Sequence, residues 1–308
     1  MTKKFILFFL VVSITKTIAQ QDPMYSMYMF DKMLINPGYT GSSNWFVASA
    51  KYRDQFSGLN GKPTTQTFNL HGPIQKKHIG LGLKIINDKI GVVNSLNLAA
   101  DLSYHLNLAG GKLSAGLEFG IFQRRIDYQK LILSVPGDNA IPSTAQSSIV
   151  PDAAWGLYYQ KKQWYVGLSQ YHLIGAKFND KEPVKSKSKL YNHMYLIAGN
   201  VFTLNKFWTW EPSALLKIQP NSKVQLDLNA MVYYQDRFGA GLQFRTGDAL
   251  VTVVKLNVTE SIRISYSYDM TLSQLSKYSK GSHEILVSYG IKLPPPPVQK
   301  ETHPRYYF

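Results

Sequence analysis

Histidine, cysteine and paired carboxylates are the residues best suited to metal, nucleophilic or acid–base chemistry, and here they are dispersed. The seven histidines stand at 71, 78, 105, 172, 193, 283 and 303, with no two at ligand spacing. There is no cysteine, so neither a thiol nucleophile nor a disulfide is available. No Gly-x-Ser-x-Gly elbow presents a serine, and Ser, His and Asp are not brought together anywhere in the sequence. The expectation is a protein that is not an enzyme, with no catalytic residue, no metal site and no cofactor. What the chain does carry, on the strand face opposite the apolar one, is a set of polar and charged residues: Asp101, His105, Glu118, Arg124, Glu211, Lys217, Gln225, Asp227, Arg245, Arg263, Asp269, Glu284 and Lys292. Charges of both signs set on one face of successive strands can pair across an enclosed space or line a passage for a polar solute.

The elements that position them are long strands. From Leu96 the apolar residues Leu96, Leu98, Ala100, Leu102, Tyr104 and Leu106 alternate with Asn97, Ala99, Asp101, Ser103, His105 and Asn107. After the turn Ala109-Gly110-Gly111-Lys112 the alternation resumes through Leu113, Ala115, Leu117, Phe119 and Ile121. These arms exceed the usual soluble strand of about 5–6 residues and match the roughly 9–11 that cross a bilayer. Similar strands are predicted over 45–54, 64–71, 79–86, 94–108, 112–126, 153–160, 164–173, 190–204, 207–219, 224–234, 238–246, 249–259, 262–271 and 283–293. The fold class is all-β, an antiparallel transmembrane β-barrel of about 14 strands, with an apolar face to lipid and a polar face to the lumen.

Turn lengths sort by parity. The predicted even-to-odd connections, 74–78, 109–111, 161–163, 205–206, 235–237 and 260–261, are short. The long ones, 87–93, 127–152, 174–189 and 272–282, all follow odd strands. A barrel with short periplasmic turns and long external loops has this asymmetry. The loop 174–189 carries Lys177, Lys181, Lys185, Lys187 and Lys189 against Asp180 and Glu182. It is an ordinary solvated loop or a surface for an acidic partner.

Residues 1–19 read as a signal peptide: Lys3 and Lys4, an apolar run from Phe5 to Ile14, then Thr17-Ile18-Ala19. With its three lysines removed, the formal charge of +15 falls to +12. Export and strand alternation direct that charge to anionic headgroups or an acidic protein, not to nucleic acid. Residues 20–44 break the alternation. Met24, Tyr28 and Ile35, with Met27 and Leu34, fit a helical stripe, so the segment is predicted as a plug in the barrel mouth or a packed N-terminal helix. The barrel spans 45–293. Residues 294–308 open on Pro294 to Pro297, which end the last strand, and form a tail.

Gln21-Asp22-Pro23-Met24-Tyr25-Ser26-Met27-Tyr28-Met29-Phe30, followed by Asn36-Pro37-Gly38-Tyr39-Thr40-Gly41, resembles the opening of the PorP/SprF family of type IX secretion membrane proteins. Gly38 replaces the usual Ala, and Met27 stands where Gln is common. Arg53-Asp54-Gln55, Gly61-Lys62-Pro63-Thr64, Ile90-Gly91, Tyr266-Ser267-Tyr268-Asp269 and Gly281-Ser282-His283-Glu284 also match. The resemblance spans nearly all of the mature chain. It implies an outer-membrane barrel tied to type IX secretion and gliding motility. It also implies a secreted adhesin, bound through its C-terminal domain, and secretion components as partners. Two other readings are a FadL-like transporter of hydrophobic small molecules, whose barrel also carries an N-terminal plug, and a general porin.

Overall fold

The structure, a computed structural model, describes residues 22–74, 77–131, 144–178, 189–220 and 222–294. The signal peptide, Gln21, Lys181, Lys185, Lys187 and residues 295–308 lie outside the described residues.

The strands are β1 (Trp45–Asp54), β2 (Thr64–Ile74), β3 (Ile79–Ile90), β4 (Val93–Leu108), β5 (Gly111–Ile126), β6 (Gln146–Lys161), β7 (Trp164–Tyr171), β8 (His193–Asn200), β9 (Phe202–Thr203), β10 (Trp208–Ile218), β11 (Gln225–Tyr234), β12 (Phe238–Arg245), β13 (Ala249–Asn257), β14 (Ile262–Thr271) and β15 (Ser282–Lys292). Each pairs antiparallel with its neighbours, and β1 pairs with β15 to close the sheet. Strands β8 and β9 both pair with β10 and are one wall position interrupted at Val201, so the closed barrel has fourteen positions.

The alternation read from the sequence is the alternation of burial, inverted relative to a soluble protein. On β4, Asp101, Ser103 and His105 are buried while Leu98, Leu102, Tyr104 and Leu106 are exposed. Leu81, Leu83, Ile85, Phe119, Ile121, Leu228, Leu242, Val254 and Val287 continue the outer apolar surface around the wall. Such a surface suits hydrocarbon, and a closed sheet leaves no unpaired edge in it. Among the described residues no helix is long and apolar enough to cross a membrane; the strands have that task.

Three local predictions are corrected. Residues 87–90 are strand, not loop, and Gly91-Val92 is a tight turn between β3 and β4. Asn87, Asp88 and Lys89 look like loop residues, but Asp88 turns inward and accepts a 2.6 Å hydrogen bond from Thr65, which replaces water. Strand β6 begins at Gln146, before the predicted 153. Pro151 lies within it, but β7 pairs with β6 only from Trp155 onward, so its missing N–H leaves no ladder partner wanting. The segment before β1 is not an α-helix. Its described part holds three 3-10 turns, Tyr28–Phe30, Lys32–Leu34 and Pro37–Tyr39.

Candidate functional site

The inner wall and the segment before β1 meet at a cluster of buried charges near the long-loop ends of β1, β12, β14 and β15. Arg53 on β1 lies opposite Glu284 on β15 in the register. Its guanidinium is 2.9 Å from Glu284 and 2.7 Å from Asp269 on β14. Arg245 on β12 reaches Asp269 at 3.1 Å, Asp248 at 3.0 Å and Asp227 at 3.4 Å. Lys217 pairs with Asp227 at 2.9 Å. Buried ions need partners with satisfied hydrogen bonds, and these strands supply both signs.

Ser26 sits in the middle. Its hydroxyl donates to Asp269 at 2.7 Å and accepts from Arg53 at 2.9 Å and Arg245 at 2.8 Å. The backbone N–H groups of Ser26 and Met27 donate to the two oxygens of Glu284 at 2.9 and 3.1 Å. A buried segment with little secondary structure must find acceptors for its amides, and Glu284 is one. The described part of the first match, Asp22–Phe30, and the Arg53, Tyr266–Asp269 and Gly281–Glu284 matches, far apart in sequence, therefore converge in space.

The Asn36–Gly41 match is held on the other half of the wall. Asn36 accepts from Gly38 N–H at 2.8 Å, capping the turn that starts at Pro37. Its side-chain amide donates to the Leu157 carbonyl of β6 at 3.0 Å. This approach requires a bare backbone: a Cβ on Gly156 would lie 2.1 Å from Asn36 Oδ1. Thr40 donates to Asp101 of β4 at 3.0 Å, and Ser169 of β7 donates to the Ile35 carbonyl. Tyr39 packs edge-on to His71 and Tyr158. Gly41 has φ +63°, a left-handed conformation, and its N–H donates to His71 at 3.3 Å. Tyr28 and Met29 are buried in the apolar cluster with Tyr158, Tyr165 and Met231.

A third cluster holds the start of the segment. Asp22 lies 2.7 Å from His172 Nε2, whose Nδ1 is 2.7 Å from Asp152. Tyr195 donates to Asp22 at 3.1 Å, and His193 Nδ1 is 3.4 Å from the same carboxylate. Burial opposes the charge on Asp22, but the two histidines and its hydrogen bonds outweigh burial and hold its pKa well below the usual range. Burial would likewise depress His172; the Asp22 charge and hydrogen bonds to Asp152 and Asp22 push its pKa up to about 10. The histidines are 21 positions apart in sequence, and neither was singled out as a ligand. The signal was their places at the adjoining ends of β7 and β8, where Tyr171 pairs with His193.

The other motif residues brace the loops above the charge cluster. Gln55 N–H donates to the Pro63 carbonyl at 2.9 Å, and its amide touches Met24. Thr64 opens β2 opposite Asp54. Ser282 accepts from Phe56 N–H at 3.0 Å, and the Gly281 carbonyl from Ser57 N–H at 2.7 Å. Tyr266 and His283, both pointing toward the outside of the wall, are 2.7 Å apart, and Tyr268 donates to the Lys280 carbonyl at 3.0 Å. Pro23 lines a cavity of about 40 Å³ beside Tyr25, Lys84 and Tyr171. Lys177 and Lys189 form an isolated bridge at the base of their loop. Lys292, expected on the inner face, is exposed because it ends β15 at the rim, near Trp45. The inner-face roster missed Lys51, which lies 3.7 Å from both Asp31 and Glu284, and Lys84, which pairs with Glu118.

The closed antiparallel sheet, its outer apolar surface and its charged interior define an outer-membrane β-barrel. Residues 17–289 match the type IX secretion system membrane protein family PorP/SprF, and the chain belongs to that family. It is therefore an outer-membrane protein associated with the type IX secretion system. No curated protein matches the sequence. Among solved structures, the chain is similar to the CymD monoaromatic hydrocarbon channel (TM-score 0.49, 13% identity, 89% of this chain and 94% of that one). It is also similar to Omp33 of Acinetobacter baumannii (0.45, 7%, 81% and 97%) and to a FadL homologue of Pseudomonas aeruginosa (0.41, 10%, 80% and 88%). No function is carried over from these; the barrel stands on its own strand pairing.

Proposed function

We propose that this protein is a barrel with an occupied lumen that binds a secreted adhesin at its long-loop rim, helping to export it or to hold its C-terminal domain on the cell surface. The observation that supports this best is the convergence of the family motifs on Ser26. Arg53, Arg245, Asp269 and Glu284 spend their charges on one another and on the segment 22–41, so they are not free to greet a passing solute. The segment acts as a plug. The long-loop end, which includes Lys177 and Lys189, faces outward and supplies the contact surface. The role is binding and not catalysis.

The transporter reading has less in its favour. A carrier of hydrophobic molecules needs a continuous apolar path, whereas salt bridges run through this interior.

Deleting the gene and measuring the cell-surface proteome tests the proposal. One adhesin, or a small set, should disappear from the surface while other type IX substrates are still exported. Normal surface levels of every adhesin would overturn it.

A further inference from the structure

We propose that Asp22, His172 and His193 form a binding site for a divalent transition-metal ion of the zinc class. One ring nitrogen of each histidine and one carboxylate oxygen of Asp22 lie within 4.8 Å of one another. In a tetrahedral zinc site with bonds of about 2.0–2.1 Å, ligand atoms stand roughly 3.3 Å apart. Here His172 Nε2 and Asp22 Oδ1 are 2.7 Å apart, and the His193 ring lies beside the same carboxylate. Parting these two atoms by roughly 0.6 Å gives the tetrahedral spacing between them, and water completes the fourth position.

Each ligand already has the partner that orients ligands at metal centres. His172 turns Nδ1 to Asp152 at 2.7 Å, which leaves Nε2 for the ion. His193 turns Nδ1 to the Tyr191 carbonyl at 2.9 Å, and its Nε2 is buried with no hydrogen-bond partner. Tyr195 donates to Asp22 at 3.1 Å. Both histidines are at least 97% buried, so the free Nε2 is a lone pair withdrawn from water for no return unless something binds it.

Charge points the same way. Among the described residues no lysine or arginine forms a salt bridge with Asp22 or Asp152; their ionic partners are the histidines. A divalent cation held between the two histidines balances the two carboxylates. The neighbouring cavity of about 40 Å³, lined in part by Asp22, Tyr25, His172 and Tyr195, is large enough for the water that accompanies such an ion.

The test uses the full mature chain in detergent, carrying a tag without histidine, stripped with a chelator and titrated with Zn²⁺ by calorimetry and elemental analysis. Wild type should bind about one Zn²⁺ per chain, and Co²⁺ in its place should give the absorption of a tetrahedral nitrogen–oxygen site. His193→Gln should weaken binding at least tenfold. Asp152→Asn, which touches no ion, should weaken it roughly 10–100-fold. Heat-modifiable electrophoretic mobility reports that each variant is folded. His193→Gln removes one hydrogen bond to a backbone carbonyl, so it carries the test if a His172 variant fails to fold. Wild-type protein that takes up no Zn²⁺, or no more than folded His193→Gln, overturns the proposal. Neither result bears on whether an adhesin is bound.

Discussion

Arg53 and Glu284 face each other across the pairing of the first and last strands, 2.9 Å apart, and both also hold Ser26. The seam that closes the barrel is thus the seam that grips the segment preceding β1. Closure of the sheet and docking of that segment share the same charged residues.

Glu284→Gln should therefore cost more than an ordinary lumen substitution. It leaves Arg53 and Lys51 short of a buried counter-charge, and breaking one side of a buried ion pair costs about 3–5 kcal/mol. Ser26→Ala leaves every ion paired and should cost about 1.5–3 kcal/mol, the range for hydrogen bonds to charged groups. Urea unfolding in detergent, followed by loss of the heat-modifiable band, measures both. Equal losses would contradict the ranking.

Gly156→Ala should displace the Asn36 turn, because the new methyl falls 2.1 Å from Asn36 Oδ1. Asn36→Ala alone should cost about 1–2 kcal/mol through loss of its cap and its bond to Leu157. The double variant should be more stable than the sum of the two losses, since the clash partner is gone. Strict additivity in a double-mutant cycle would place Asn36 elsewhere.

With metal removed by chelator, the grip on the outer end of the segment should depend on pH. The raised His172 pKa means its contribution is complete below 6.5 and is lost as pH rises toward about 10. The lowered Asp22 pKa means its contribution is present above 3.8 and is lost on further acidification. Protection of residues near Asp22 from limited proteolysis should be greatest between about pH 4 and 6.5 and should fall on the alkaline side. Protection that rises steadily to pH 10 would contradict the pairing.

Replacing Lys177, Lys181, Lys185 and Lys187 by Glu should lower the amount of adhesin retained at the surface. Lys177 is exposed, and an exposed substitution of this kind changes stability by about 0.5 kcal/mol or less. Immunodetection on whole cells, set beside the amount of folded barrel, separates the two effects. Unchanged retention would move the contact away from this loop.

The wall was legible because a bilayer imposes a strict period of two. The bounds of β1 and β14 coincide with the ranges read from alternation alone, 45–54 and 262–271. The same rule failed where local residue types contradicted it: Asn87 to Lys89 have poor strand propensity, and Pro151 lies within β6. The charge cluster could be read only as a list of inward residues. Its partners are as much as 258 positions apart, and closure of the sheet decides which of them meet. The helical stripe at Met24, Tyr28 and Ile35 was misleading because apolar contacts on every side of an enclosed segment leave no single face to show a period. The His172–His193 pair was hidden because a long loop separates two residues that strand pairing makes neighbours.

In the plugged barrel proposed above, residues 22–41 occupy the lumen and leave no open path through it. Planar-bilayer recording of the purified protein addresses this directly. A silent bilayer is expected with the full mature chain, and stepwise conductance from a barrel lacking residues 22–41. Stepwise conductance from the full mature chain would contradict it.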